Sequence, residues 1–188
     1  NAVGIYAYNE NTAASMSITA KDVTGIDDGI SADNNGSGSL TIFLTGDVKN
    51  TSTFKSNSQE HSTRHYGIHA EVSGTDVTVS TTGDVTSNDR GIFVWNYGIG
   101  KTNISSTGTV TALDHIGIYA ENDEESTASD IILEANHVSA FDDGIVVLPS
   151  SAFELNISQQ LYEFITISVP SRVVHDEGEC NEEMIAVL

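Results

Sequence analysis

Gly91-Ile92-Phe93-Val94 is the fourth of six copies of one phrase, and reading it decides the fold. Its companions are Gly4-Ile5-Tyr6-Ala7, Gly29-Ile30-Ser31-Ala32, Gly67-Ile68-His69-Ala70, Gly117-Ile118-Tyr119-Ala120 and Gly144-Ile145-Val146-Val147. The leading glycines stand 25, 38, 24, 26 and 27 residues apart. A repeat of this length is one turn of a stacked-coil array rather than a domain. Within the phrase, Ile and the small apolar residue two positions on alternate with a variable residue. That period of two is the pattern of a strand with one buried face. Stacking the copies predicts one interior column of Ile5, Ile30, Ile68, Ile92, Ile118 and Ile145. The intervening Tyr6, Ser31, His69, Phe93, Tyr119 and Val146 then point outward.

Working outward, each unit holds two further apolar segments. The first alternates over 15–19, 39–44, 76–81, 101–106 and 129–134, and the second is short and ends in Val23, Val48, Val85, Val110 or Val138. Three strands in so few residues leave no room for helices between them. The reading is an all-β chain, a right-handed parallel β-helix of about six coils with three short strands each. It occupies 1–158 and is followed by an irregular, non-repeat cap or tail at 159–188. Eighteen residues separate Val48 from Gly67 where other units have five or six, so 49–65 is expected to bulge as an insertion loop.

Stacked coils also align their turns. Five positions after each Gly come Asn9, Asn34, Val72, Asn96, Asn122 and Pro149, which predicts a broken structural ladder of asparagine. Asn tolerates turn backbone, and its amide bonds to turn groups or to another Asn above it. Two positions before Gly come Asp27, His65, Asp89, His115 and Asp142. Interleaved His relieves repulsion between stacked carboxylates, and a protonated imidazole pairs with a neighbouring Asp. This series is the candidate pH-sensitive or cation-accepting stripe.

Composition bounds the partners. Lys+Arg number 7 against 27 Asp+Glu, a net charge of −20. Such a surface repels phosphate backbones and anionic lipid, so no nucleic-acid partner is expected. No apolar run reaches the ~18 residues of a membrane helix, so direct membrane insertion by this segment is not expected. Cys180, the single cysteine, lies among carboxylates that disfavour its thiolate. There is no nucleophile elbow, phosphate loop or zinc spacing, and the Asn34–Gly38 turn reads as a Gly-rich turn before it reads as a calcium loop. No catalytic residue, cofactor or metal is expected, and the chain reads as a non-enzyme. The alternative is a carbohydrate-active β-helix or its non-catalytic remnant, with Asp27/Asp28 or Asp142/Asp143 as facing carboxylates. A third reading is an inert spacer.

The stretch Asp27-Asp28-Gly29-Ile30-Ser31-Ala32-Asp33-Asn34-Asn35-Gly36-Ser37-Gly38-Ser39-Leu40-Thr41-Ile42 resembles the repeats of bacterial autotransporter passenger domains, which are pectate-lyase-like parallel β-helices. So does Val77-Thr78-Val79-Ser80-Thr81-Thr82-Gly83-Asp84-Val85-Thr86. The likeness covers roughly 4–158. It implies an extracellular location on the bacterial cell surface, with export through a C-terminal outer-membrane barrel that this chain lacks. It also implies an adhesive or structural role, with a glycan or cell-surface protein as partner. Phe93, Trp95 and Tyr97 alternate on one strand, and with Tyr119 and Tyr6 they are the expected outward binding residues.

Overall fold

The structure, a computed structural model, describes residues 2–10, 14–52, 65–123 and 130–148. The chain divides into two units, Asn1–Phe153 and Glu154–Leu188, of which only the first contains described residues. The first coil carries β1 (Ile5–Asn9), β2 (Met16–Ala20) and β3 (Val23–Gly25). The second carries β4 (Ile30–Asn34), β5 (Leu40–Leu44) and β6 (Val48–Asn50), and the third β7 (Tyr66–Val72), β8 (Val77–Thr81) and β9 (Val85–Ser87). The fourth has β10 (Arg90–Asn96) and β11 (Thr102–Ala112), the fifth β12 (Ile118–Asn122) and β13 (Ile131–Ala140). β14 (Ile145–Leu148) opens a sixth. Every strand pairing is parallel, and the described residues contain no helix, so this is a parallel β-helix. Five coils are complete, one fewer than the six phrases imply, because only the first strand of the sixth falls within the described residues.

The six phrase strands form one sheet in the order β1-β4-β7-β10-β12-β14. Its register sets Ile5 beside Ile30, Ile30 beside Ile68, Ile68 beside Ile92, Ile92 beside Ile118 and Ile118 beside Ile145. Ile30, Ile68, Ile92 and Ile118 are fully buried. Each such side chain contributes about 1.5–3 kcal/mol through burial. The glycine ahead of each Ile has its own packing reason. A Cβ on Gly91 would lie 2.4 Å from Val110 Cγ1 and 2.5 Å from the Gly117 carbonyl oxygen. Gly29 repeats this arrangement against Val48 and Gly67. The valine ending each coil therefore fills the space that a side chain on the leading glycine would need.

The second and third segments share one eight-stranded sheet rather than two. In the first three coils a turn ending in Asp separates them: Lys21-Asp22, Gly46-Asp47 and Gly83-Asp84. There the carboxylate of one coil accepts a backbone N–H from the next: Asp22 from Asp47 at 3.1 Å, Asp47 from Asp84 at 3.0 Å, and Asp84 from Thr109 at 2.8 Å. Thr109 and His137 replace the aspartate in the last two coils. There the segments fuse into the long β11 and β13, with a register shift between Ser106 and Thr109. Three strands per coil thus holds for coils one to three and becomes two in coils four and five.

The expected insertion loop is shorter than 49–65. Lys49 and Asn50 belong to β6, and His65 is buried against the stack, with its carbonyl accepting the Asp89 N–H at 3.3 Å. Residues 53–64 and the proposed tail 159–188 lie outside the described residues, as do Pro149 and Cys180.

Candidate functional site

Chemistry-bearing side chains gather on the outer face of the Gly-Ile sheet. Alternation turns two positions of each phrase strand outward, and the register stacks them in two columns. One column runs Tyr6, Ser31, His69, Phe93, Tyr119 and Val146, and the other Tyr8, Asp33, Glu71, Trp95, Glu121 and Leu148.

The first column carries an aromatic stack. Tyr66 lies over His69 with ring centres 4.7 Å apart and planes 19° from parallel. Phe93 stacks on Tyr119 at 5.0 Å and 9°, and approaches Tyr66 and His69 at 5.2 and 5.3 Å. The Arg90 guanidinium sits 5.0 Å from the Phe93 ring centre and 5.1 Å from that of Tyr119, a cation–π arrangement. Phe93 therefore faces out of the coil, as the alternation requires, yet is only 3% exposed. Its neighbours on the face cover it, so it is a support for the surface and not a contact residue. Tyr119 is half-buried, its hydroxyl donating to Glu121.

Trp95 and Tyr97 do form an accessible pair. Their rings stack at 4.8 Å, and Tyr97 is 38% exposed. Phe93 braces Trp95 edge-on at 6.1 Å. Glu71 and Glu121 flank Trp95 on the two adjacent strands. Burial pushes the Tyr97 hydroxyl up to about 12, with Glu71, Asp123 and Glu121 adding to the shift, so it remains a donor at physiological pH. The Trp95 indole N–H is buried and has no partner. Tyr6, the other expected contact residue, stands apart on the first coil, 65% exposed.

On the lower part of the face Asp33 lies directly beside Glu71. Its carboxyl is raised above the ordinary value by burial; Glu71 pushes the same way and His69 opposes them. His69 Nε2 lies 2.9 Å from Glu71 Oε1. The sequence-based columns do not use the position four residues after Gly; aligning it (Tyr8, Asp33, Glu71, Trp95, Glu121, Leu148) yields this second column at once.

The alternating Asp–His series lies along one corner of the stack. His65 Nδ1 lies 3.8 Å from Asp27 Oδ1, and His115 Nδ1 lies 3.2 Å from Asp142 Oδ2. Asp89 and Asp142 donate their N–H groups to the His65 and His115 carbonyls, both at 3.3 Å. Asp89 is 1% exposed. The carboxylate pairs considered for glycoside cleavage serve the same corner. Asp27 accepts from the Ala2 N–H at 2.9 Å, Asp28 from the Tyr66 N–H at 2.8 Å, and Asp142 and Asp143 are exposed.

The asparagine row is structural. Asn9 donates to Asn34 Oδ1 at 2.8 Å, and Asn34 also accepts from Gly36 N–H and donates to the Gly38 and Ser39 carbonyls. Asn96 accepts from Gly98 N–H at 2.8 Å, and Thr102 bridges Asn96 to Asn122. The turn at Asn34–Gly38 thus occupies its own amide.

The opposite sheet is chemically plainer. A shallow hollow there is lined by Thr78, Asn103, Ser105, Ile132 and Glu134, with one carboxylate and no aromatic ring. The fold defines a parallel β-helix with aromatic and charged side chains gathered on the outer face of one sheet. Comparison of the chain with family models, curated proteins and solved structures finds no match.

Proposed function

We propose that the chain is a binding segment of a surface-exported β-helix passenger, adhesive through the outer face of its Gly-Ile sheet. The observation that carries this reading is the Trp95–Tyr97 stack, rimmed by Glu71 and Glu121 and held from behind by Phe93. A flat aromatic pair offers apolar area at little entropic loss, and carboxylates beside it accept hydroxyl hydrogen bonds. The ligand class is a neutral or amino-bearing glycan, because the rim and the net charge of −20 repel acidic sugars. Export to the bacterial cell surface rests on the repeat resemblance and belongs to the same proposal.

A glycan array with the whole chain and Trp95→Ala tests it. The expected result is retention of neutral or amino glycans and at least a tenfold loss in the variant. Binding unaffected by Trp95→Ala moves the site elsewhere. Failure to retain any glycan, with a cell-surface protein captured through the same residues, replaces the ligand class. Retention of neither leaves a spacer.

A further inference from the structure

We propose that Asp33, His69 and Glu71 form a binding site for a first-row divalent transition metal of the zinc class. The proposal stands apart from glycan binding and does not need Trp95 or Tyr97 to touch a ligand.

The parallel register of β4 and β7 places Asp33 beside Glu71, and His69 on the same outward face two residues before Glu71. Strand spacing keeps such neighbours ~4.8 Å apart, and like charges directly opposite destabilise a sheet. A pair of this kind favours a cation, and His69 is the side chain of this chain that already lies beside it. Among the described residues the lysines are engaged elsewhere: Lys21 near Asp22, Lys49 near Asp47, and Lys101 with Asp130 at 3.0 Å. Arg90 lies over the Phe93 and Tyr119 rings.

The ligand atoms are already gathered. One atom each from Asp33, His69 and Glu71 lie within 4.8 Å of one another, and His69 Nε2 is 2.9 Å from Glu71 Oε1. Asp33 Oδ1 is buried and has no hydrogen-bond partner. Such an atom is open to a ligand from outside the chain. Tyr66 stacks on the His69 ring and restrains its plane. Metal–ligand bonds of about 2.0–2.2 Å require the three side chains to close inward by rotamer adjustment. Two carboxylates and one imidazole are a mixed oxygen–nitrogen set. That favours zinc and its neighbours over calcium, which takes six to eight oxygens. Three protein ligands leave a coordination position open to water or to a ligand hydroxyl.

Isothermal titration of the full chain with Zn²⁺, Mn²⁺ and Ca²⁺, in separate arms, tests the site. The expected result is one Zn²⁺ per chain, bound at least tenfold more tightly than Ca²⁺. Asp33→Asn and His69→Gln should each weaken it tenfold or more, while His115→Gln leaves it unchanged. Unaltered zinc affinity in both site variants, or no zinc binding by the parent chain, overturns the proposal. Imidazole NMR on the unmodified chain gives a second reading that does not depend on how a variant folds. Zinc should shift the His69 resonances, assigned through their contacts to Tyr66, and leave those of His65 and His115 in place. A uniform response, or none, refutes the site.

Discussion

In the middle of the stack Ile92 is fully buried, and a Cβ on Gly91 would meet Val110 Cγ1 at 2.4 Å. At the last described strand the same phrase gives Ile145 at 46% exposure, and a Cβ on Gly144 would find nothing within 4 Å. Local sequence is the same in both places; the surroundings are not. An inner coil is enclosed by a neighbour on either side, so its glycine, isoleucine and valine are each confined by three layers. The outermost phrase meets one neighbour among the described residues. Residue requirements in this fold are therefore set by coil-to-coil packing and not by the strand itself.

Substituting the buried and exposed isoleucines should break that comparison most sharply if it is wrong. Ile92→Ala is expected to lower unfolding free energy by about 3–4 kcal/mol, the range for a large-to-small change in a closed core. Ile145→Ala should lower it by about 1 kcal/mol or less, given its exposed position. Equal shifts in urea midpoint would show that the two ends of the stack are packed alike.

The glycine pair comes next. Gly91→Ala should be destabilising by about 2–3 kcal/mol, since a methyl group there overpacks against Val110 and the Gly117 carbonyl. Gly144→Ala should stay within about 0.5 kcal/mol. Thermal melts of both variants sharpen the contrast, because a helix-wide backbone requirement for glycine would make them alike.

The asparagine row offers a smaller difference of the same kind. Asn34 is buried and its amide joins two coils and its own turn. Asn34→Ala strands those turn groups and should cost about 1–3 kcal/mol. Asn9 sits on the first coil, half-buried, its side chain donating to Asn34; Asn9→Ala should cost about 0.5–1 kcal/mol. Chemical denaturation of the two single variants measures both.

The least effect is expected from charge. Burial raises Asp33 in the folded chain, so the fold holds that proton to higher pH than the unfolded chain does. The folded state binds more protons between the two values, and stability falls as pH rises through that window. Below the ordinary carboxyl value of 3.8 both states are protonated and the penalty disappears. Without added metal, Asp33→Asn should raise the urea midpoint modestly at pH 7 and leave it unchanged near pH 3.5. Asp143→Asn, at an exposed corner, should do neither.

The interior was legible because its signal repeats. Ile at one position and Val at another recur in each copy, and period-two alternation says which side each takes. The asparagine row and the Asp–His corner follow from the same alignment. Fusion of the second and third segments was harder to see. The Asp found at this turn in the first three coils gives way to Thr109 and His137, which look like ordinary strand residues. Burial of Phe93 was hidden because its cover comes from three different coils: Tyr66 and His69 on one, Arg90 on its own, Tyr119 on the next. Asp33 and Glu71 stand 38 residues apart, a distance lengthened by the insertion, so their juxtaposition emerges only once the coils are in register.

The interlock of each leading glycine with its own closing valine makes length a counted quantity. Excising residues 91–116 would set Gly117 over Gly67 and Ile118 over Ile68, and the shortened molecule would close on itself without a seam. Cutting a single residue from within a strand would turn the rest of that strand inside out, whereas the turns already absorb such differences, the leading glycines standing 24 to 38 residues apart. Variants of this chain can thus gain or lose whole laps, or residues in the turns, but not single residues within a strand.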